Sequence, residues 1–336
     1  MSKETLEHLN TQTLIGYTTK RGTAWHYRAD RQAAEPNHYP GAVPVADVYR
    51  RLFAWKPVSA PLQATIMDER GVTSITDDTR QVIIRPDTGA VLGVFKSGYQ
   101  IHDYSAWLVG NVEAILDTDE LAIGSAGLLK GGAVAWVQVE MEETLSVEGV
   151  QFRPFLTAAT SLDGSLATTY QAGSQVVVCD NTLSAALGQP TERVKIRHSA
   201  NSLGKLASVR DALGIVHGVA DSFSQAVKAL CDEAVSPARW DRFVNAYTGT
   251  GDPQAGKRAA ANARAQVSAL HALWDYDARV SPWKGTAYGV VAAANTYLHH
   301  EAEVRGADRA TRNTERAITG KLDDFDAHTL RVLAGV

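Results

Sequence analysis

Residues 80–95, RQVIIRPDTGAVLGVF, form two runs rich in β-branched side chains that are joined by the turn sequence PDTG. Proline fixes φ early in a tight turn, and glycine accepts the backbone conformation with which such a turn ends. The segment therefore predicts a β-hairpin, within a period-two pattern that covers residues 62 to about 105. Before it, Pro44 and the apolar spacing of residues 45–53 predict a helix.

The remaining pattern separates strands from helices. A helix starting near Asp103 or Ser105 follows the hairpin. Short strands are predicted at 132–140, 144–146, 150–160, 166–171 and 174–179, and helices at 199–235, 255–274, 285–304 and after Asp323. We expect an α+β fold with antiparallel strands, a hairpin and packed helices, followed by an all-helical C-terminal part. The expected domains are an N-terminal arm (1–44), an α+β core (45–190) and a helical region packed on that core (191–336).

Composition excludes several classes of protein. The chain has 336 residues, of which 45% are hydrophobic, and this is enough to bury a sizeable core. No run of residues is long and apolar enough to cross a bilayer, and the first residues contain no apolar signal segment. Only two cysteines are present, too few for a disulfide framework. We expect a soluble protein of a reducing cytoplasm, with no membrane partner.

Motifs for common enzyme classes are missing from the sequence. It contains no dinucleotide-binding or phosphate-binding glycine loop, no zinc-protease motif and no nucleophile elbow. The sequence therefore assigns no catalytic residue, no metal ligand and no cofactor. An enzymatic activity stays open as an alternative, carried by Asp, Glu and His residues that sequence alone does not bring together.

Positive charge is concentrated in the second part of the chain. Residues 1–192 contain 14 Lys or Arg against 22 Asp or Glu, whereas residues 193–336 contain 19 against 15. One basic set follows a period of two, as in a strand, and a second recurs at helical steps of four, three and four. The first set is Arg193, Lys195 and Arg197, with Lys205 nearby, and the second is Arg305, Arg309, Arg312 and Arg316. Both sets are candidate contacts for phosphate groups, and the alternative for each is a face that only water covers.

Binding of single-stranded nucleic acid also requires aromatic faces on which bases stack. Tyr99 and Trp136, from the strand-rich part, are the candidates for this role. The alternative for each ring is a position in the core.

Several short motifs are distributed along most of the chain. Their order and spacing resemble a phage- and plasmid-like protein family catalogued as domain of unknown function 932, from about Gly22 to Leu333. The motifs are GTAWH at 22–26, GY at 98–99, KGG at 130–132, SLDGS at 161–165, VCDNTL at 178–183, IRHS at 196–199, GTAYG at 285–289 and ANTY at 294–297, followed by His300. The resemblance implies a gene of bacteriophages, plasmids or integrated elements and a location in the bacterial cytoplasm. It implies no catalytic residue.

The succession of hairpin, helix, antiparallel strands and helices is similar to the core of phage single-strand annealing proteins of the RecT and Erf kind. We therefore expect a DNA recombination protein that binds single-stranded DNA and anneals complementary strands without ATP, as a homo-oligomeric ring or filament. The alternative is a phage-encoded interaction protein that modulates a host system through protein–protein contact.

Overall fold

The computed structural model describes residues 11–336 with the exception of 22–28, 33, 70, 114–115, 117–120, 142, 177–180, 184–192, 199–215, 252–253, 255, 305–308, 310–311, 314–315 and 317–320. The chain divides into two compact units. Unit 1 comprises residues 1–142, 156–172 and 192–215, and unit 2 comprises residues 143–155, 173–191 and 216–336. This division differs from the predicted domains, because two long strands each contribute residues to both units.

Two sheets account for the strands that the structure describes. The strands are β1 (Thr13–Ile15), β2 (Val58–Asp68), β3 (Gly71–Arg85), β4 (Ala90–Lys96), β5 (Leu121–Leu129), β6 (Val134–Met141), β7 (Leu145–Val147), β8 (Val150–Ser161), β9 (Thr168–Val176), β10 (Asn181–Leu183) and β11 (Arg193–Ile196). The larger sheet has the order β1-β5-β6-β8-β9-β10, with β7 paired to β8 and β11 paired to β9. The smaller sheet has the order β2-β3-β4.

Helices are concentrated in the C-terminal part, and the predicted α+β fold is confirmed. The α-helices are Thr18–Arg21, Val45–Leu52, Asn111–Glu113, Val216–Asp232, Pro237–Thr248, Lys257–Tyr276, Ala287–Thr296 and Lys321–Ala334. Two segments form π-helical turns, Ser105–Gly110 and Tyr297–Glu301, and three form 3-10 turns, Ala29–Arg31, Lys130–Gly132 and Ser281–Trp283. Among the described residues, no helix has both the length and the apolar composition that crossing a membrane requires.

Part of the predicted N-terminal arm belongs to the larger sheet. β1 pairs with β5, and Leu14 within it is fully buried. The buried side-chain amide of Asn37 donates a hydrogen bond to the carbonyl of Thr13 at 2.8 Å. This bond holds the backbone at residue 37 beside β1. A three-residue strand is too short to show a period-two pattern, so the sequence alone does not indicate β1.

The predicted hairpin is confirmed as β3 and β4, which pair from Arg85↔Ala90 to Arg80↔Lys96. β3 extends well beyond this hairpin and pairs with β2 over Gly71–Asp77 and Gln81–Ile84, whereas the sequence pattern indicated β2 only from residue 62 onward. As predicted, a helix begins directly after Pro44, and its buried residues are Val48 and Leu52.

Unit 2 has its own aromatic core. The rings of Trp240 and Trp274 stack with their centroids 4.1 Å apart, next to the fully buried Phe243. Ser236 caps the helix Pro237–Thr248 by accepting a hydrogen bond from the backbone N–H of Arg239. Every residue of Ala287–Thr296 is buried, in agreement with a sequence that contains no charged residue.

Candidate functional site

Five side-chain rings in unit 1 form a continuous stack. Its order is Phe95, Tyr99, His198, His102 and Trp107, with successive centroids 3.9, 4.9, 3.8 and 3.7 Å apart. The interplanar angles are 18° or less, so the rings lie nearly parallel. Phe95 lies in β4 and three of the other rings follow that strand closely in the sequence, whereas His198 follows β11. The stack therefore fastens the end of β11 to the segment that follows β4.

Hydrogen bonds fix the tautomers of the two histidines. The carbonyl of Gln100 can only accept, so Nδ1 of His198, 3.1 Å away, carries the proton and Nε2 accepts. From Nε2, contacts of 3.1, 2.7 and 2.6 Å lead through the hydroxyls of Thr160 and Thr168 to Nδ1 of His102. Each contact contains a hydrogen only if Thr160 donates to His198, Thr168 to Thr160 and His102 to Thr168. A longer Thr168–His198 contact of 3.4 Å leaves this assignment of His102 unchanged.

Both imidazoles are neutral near pH 7. Burial, and secondly the neighbouring His198, lowers the pKa of His102 to about 3. Burial also lowers the pKa of His198 to about 4, although the carbonyl of Gln100 acts in the opposite direction. His102 is 1% exposed, and its Nε2 is buried without a hydrogen-bond partner. The pair is therefore suited to anchoring β11, and its enclosed nitrogen is poorly placed to act as a base on a substrate.

A strained loop lies in the same unit. Lys130, Gly131 and Gly132 all have positive φ, at 52°, 66° and 101°, and a left-handed lysine costs about 1–2 kcal/mol. The loop is held by Arg85, which donates to the carbonyl of Gly131 at 3.1 Å. Nζ of Lys130 lies 3.6 Å from the carboxylate of Asp163, so this ion pair connects the KGG loop to the SLDGS turn.

The first predicted basic set lies on an edge strand. β11 pairs with β9 from Arg193↔Gln171 to Ile196↔Thr168, and among the described residues no strand pairs with its other edge. Lys195 and Arg197 are exposed, whereas Ile196 between them is buried. The predicted strand is present as β11 with Lys195 exposed on it, and Arg197, which is also exposed, directly follows the end of the strand at Ile196.

Other predicted cations are only partly described. The backbone of Arg193 belongs to β11, and its side chain lies outside the part that the structure describes. Lys205 and Arg305 lie outside the described residues altogether.

The remaining arginines of the predicted stripe are half-buried rather than fully solvated. Arg309, Arg312 and Arg316 have helical backbone. Burial lowers the pKa of Arg316, and the charges of Arg312 and Arg309 lower it further, so the three guanidinium groups lie close enough to repel one another. Nη1 of Arg309 is buried without a hydrogen-bond partner. This environment makes the stripe less accessible to a polymer than β11.

Neither ring proposed for base stacking presents an open face. Tyr99 is half-buried, and its ring already stacks with both Phe95 and His198. Trp136 in β6 is 4% exposed. A Cβ added to Gly127 would lie 2.2 Å from the Trp136 ring, so this tryptophan fills the space that the glycine leaves. In this structure, we therefore assign both rings to packing.

A family model described as Domain of unknown function (DUF932) matches residues 91–319, more than half of the chain. The chain belongs to this family. No curated protein and no solved structure matches it.

Four of the short motifs meet in unit 1 of this DUF932 protein. Tyr99 of the GY motif stacks on His198 of IRHS, and its hydroxyl donates to the carbonyl of Ser161 in SLDGS at 3.3 Å. The ion pair between Lys130 and Asp163 adds the KGG motif to this group.

Two motifs from the C-terminal region lie in unit 2. Thr286 of GTAYG caps the helix Ala287–Thr296 by accepting from the backbone N–H of Gly289. Asn295 of ANTY donates to the buried carboxylate of Asp326 at 2.8 Å.

Sequence reasoning missed Thr160 and Thr168, which join the two histidines. Each lies in a region of predicted strand, where threonine is common. The sequence contains no signal of their role, which becomes apparent only once the structure shows both side chains buried, since a buried hydroxyl needs a partner.

Proposed function

We propose that this protein binds single-stranded DNA along β11 and promotes annealing of complementary strands without nucleotide hydrolysis. The observation that carries the proposal is the exposure of Lys195 in an edge strand and of Arg197 directly after it. Residues two apart in a strand are separated by about 6.7 Å, so the two cations form a short linear array. Such an array suits an extended phosphate backbone better than a compact anion.

Stable positioning of this array supports the same function. His198, which directly follows Arg197, is held by stacking on two rings and by the carbonyl of Gln100. A cation whose backbone is already ordered loses less conformational entropy when it binds a phosphate. The overall charge of −4 opposes DNA binding at long range, so contact depends on this local array.

A homo-oligomeric ring or filament would repeat β11 along one strand of DNA and multiply individually weak contacts. Phosphate-directed binding leaves the base edges open to a complementary strand. The resemblance to mobile-element proteins supports action in the cytoplasm of a bacterium that carries a bacteriophage or plasmid.

Fluorescence anisotropy of a labelled single-stranded oligonucleotide, measured at two salt concentrations, tests the binding step. We expect the double variant Lys195→Glu/Arg197→Glu to bind at least about tenfold more weakly, and the slope of log affinity against log salt to decrease by about 0.7 per lost phosphate contact. The matched control is Lys257→Glu/Arg258→Glu, which makes the same charge change at exposed positions of unit 2. Wild-type protein that does not bind at low salt would overturn the proposal.

A further inference from the structure

The smaller sheet of unit 1 has an apolar face that points to solvent. In antiparallel pairs, directly opposite side chains lie on the same face. One row across the three strands is Val58, Ile84 and Val91, and the next is Ala60, Val82 and Val94. Ile83 of the intervening row is fully buried, so the sheet's other face is the one that packs against unit 1 here.

This apolar face continues along the two-stranded extension of β2 and β3. Alternation along β2 places Leu62, Ala64 and Ile66 on the same face as Val58 and Ala60. The pairing register with β3 shifts after Pro61. Beyond the shift, Ile75 of β3 lies opposite Ala64 and therefore on the same face. β2 thus presents five apolar residues in succession on this side.

Polar residues occupy the other side of the extension. There, Gln63 lies opposite Thr76 and Thr65 lies opposite Ser74, and the one apolar pair on this side, Met67 and Val72, lies near the tip. The ribbon is therefore amphipathic, with an apolar side that has no role in a solvated monomer.

The exposure of the apolar face is large. Exposed fractions are 45% for Val58, 47% for Ile66, 53% for Ile75, 64% for Val91 and 44% for Val94. A soluble monomer scatters such residues singly, and a contiguous patch marks an interaction surface. A two-stranded ribbon is also marginally stable in water, so the extension gains stability when its apolar side is covered.

We infer that this face packs against the same face of a second copy of the chain, sheet on sheet. Its charge supports this occupant. The register places Asp77 opposite Leu62 on this face, and Arg80 opposite Lys96 in the row after Val82 and Val94, with Nε of Arg80 3.8 Å from the Asp77 carboxylate. The face therefore carries both signs of charge and can meet its own copy with unlike charges opposed. Cyclic twofold dimers, in which one patch meets itself, are the commonest homo-oligomers.

The dimensions of the face also suit a self-association interface. From Val58 to Ile66 it extends about 27 Å, and three strands make it about 14 Å wide at its base. Two such faces bury on the order of 1,000 Å², the lower limit for a specific interface. We therefore expect a dimer that dissociates on dilution. This association does not depend on DNA binding, and its test uses protein without DNA.

Sedimentation velocity over a concentration series measures this association. The variant Ile66→Asp/Ile75→Asp places one carboxylate on each strand of the apolar side, and Thr65→Asp/Thr76→Asp makes the same diagonal change on the polar side. Wild-type and polar-side variant are expected to shift from monomer to dimer with rising concentration, whereas the apolar-side variant stays monomeric. Circular dichroism confirms that each variant is folded, and Val91→Asp on β4 provides a second disruption of the face.

Two results would overturn the inference. One is wild-type protein that stays monomeric at every concentration, in which case the face belongs to a partner of another kind. The other is association of the apolar-side variant and of Val91→Asp to the same extent as wild-type, which would place the contact elsewhere on the chain.

Discussion

The stacked histidines make the stability of unit 1 depend on pH in a calculable way. In the folded chain His102 and His198 have pKa values of about 3 and 4, whereas an unfolded histidine has a pKa near 6.5. Between these pH values the two histidines bind protons in the unfolded chain but not in the folded chain. Their contribution to the free energy of unfolding is therefore fully present above pH 6.5 and is lost as the pH falls. From pH 7 to pH 5 each histidine removes about 2 kcal/mol from the free energy of unfolding.

Replacing His198 with phenylalanine tests this dependence. The ring stack can persist, but the titrating group is gone, so we expect the loss between pH 7 and pH 5 to shrink by about 2 kcal/mol. Urea unfolding at both pH values, followed by circular dichroism, measures the change. Phe95→Leu is the control, because it weakens the same stack without removing a titrating group. Equal losses in wild-type and His198→Phe would refute the argument.

Two further substitutions test the packing around this site. Thr168→Val leaves Nδ1 of His102 without its acceptor, so we expect a loss of about 1–3 kcal/mol in urea unfolding at pH 7. Gly127→Ala forces a Cβ into the Trp136 ring and is expected to cost about 1–3 kcal/mol in the same assay. Gly98→Ala serves as its control and should be nearly neutral, because no atom lies within 4 Å of the added Cβ.

Elements governed by local sequence were predicted well. The PDTG turn, the helix after Pro44 and the strand β11 each depend on neighbours a few residues away. The alanine-rich helix predicted at 255–274 is observed as Lys257–Tyr276 for the same reason. Such patterns determine backbone conformation before any tertiary contact forms.

Features that depend on distant contacts were not predictable. His102 and His198 are 96 residues apart, and only the folded sheet brings them to 3.8 Å. Helical spacing identified Arg309, Arg312 and Arg316 as neighbours, but spacing carries no information about what packs over them, and all three are half-buried. The period of β2 could have revealed its apolar side, although only coordinates show that this side faces solvent.

Strand annealing is the activity that we propose for this protein. The decisive measurement mixes two complementary fluorescent oligonucleotides without ATP and compares the rate of duplex formation with and without the protein. We predict faster annealing with wild-type protein, little acceleration with Lys195→Glu/Arg197→Glu, and wild-type behaviour for Lys257→Glu/Arg258→Glu. Duplex formation at the rate of the naked strands, under conditions in which the wild-type protein is folded, would contradict the account.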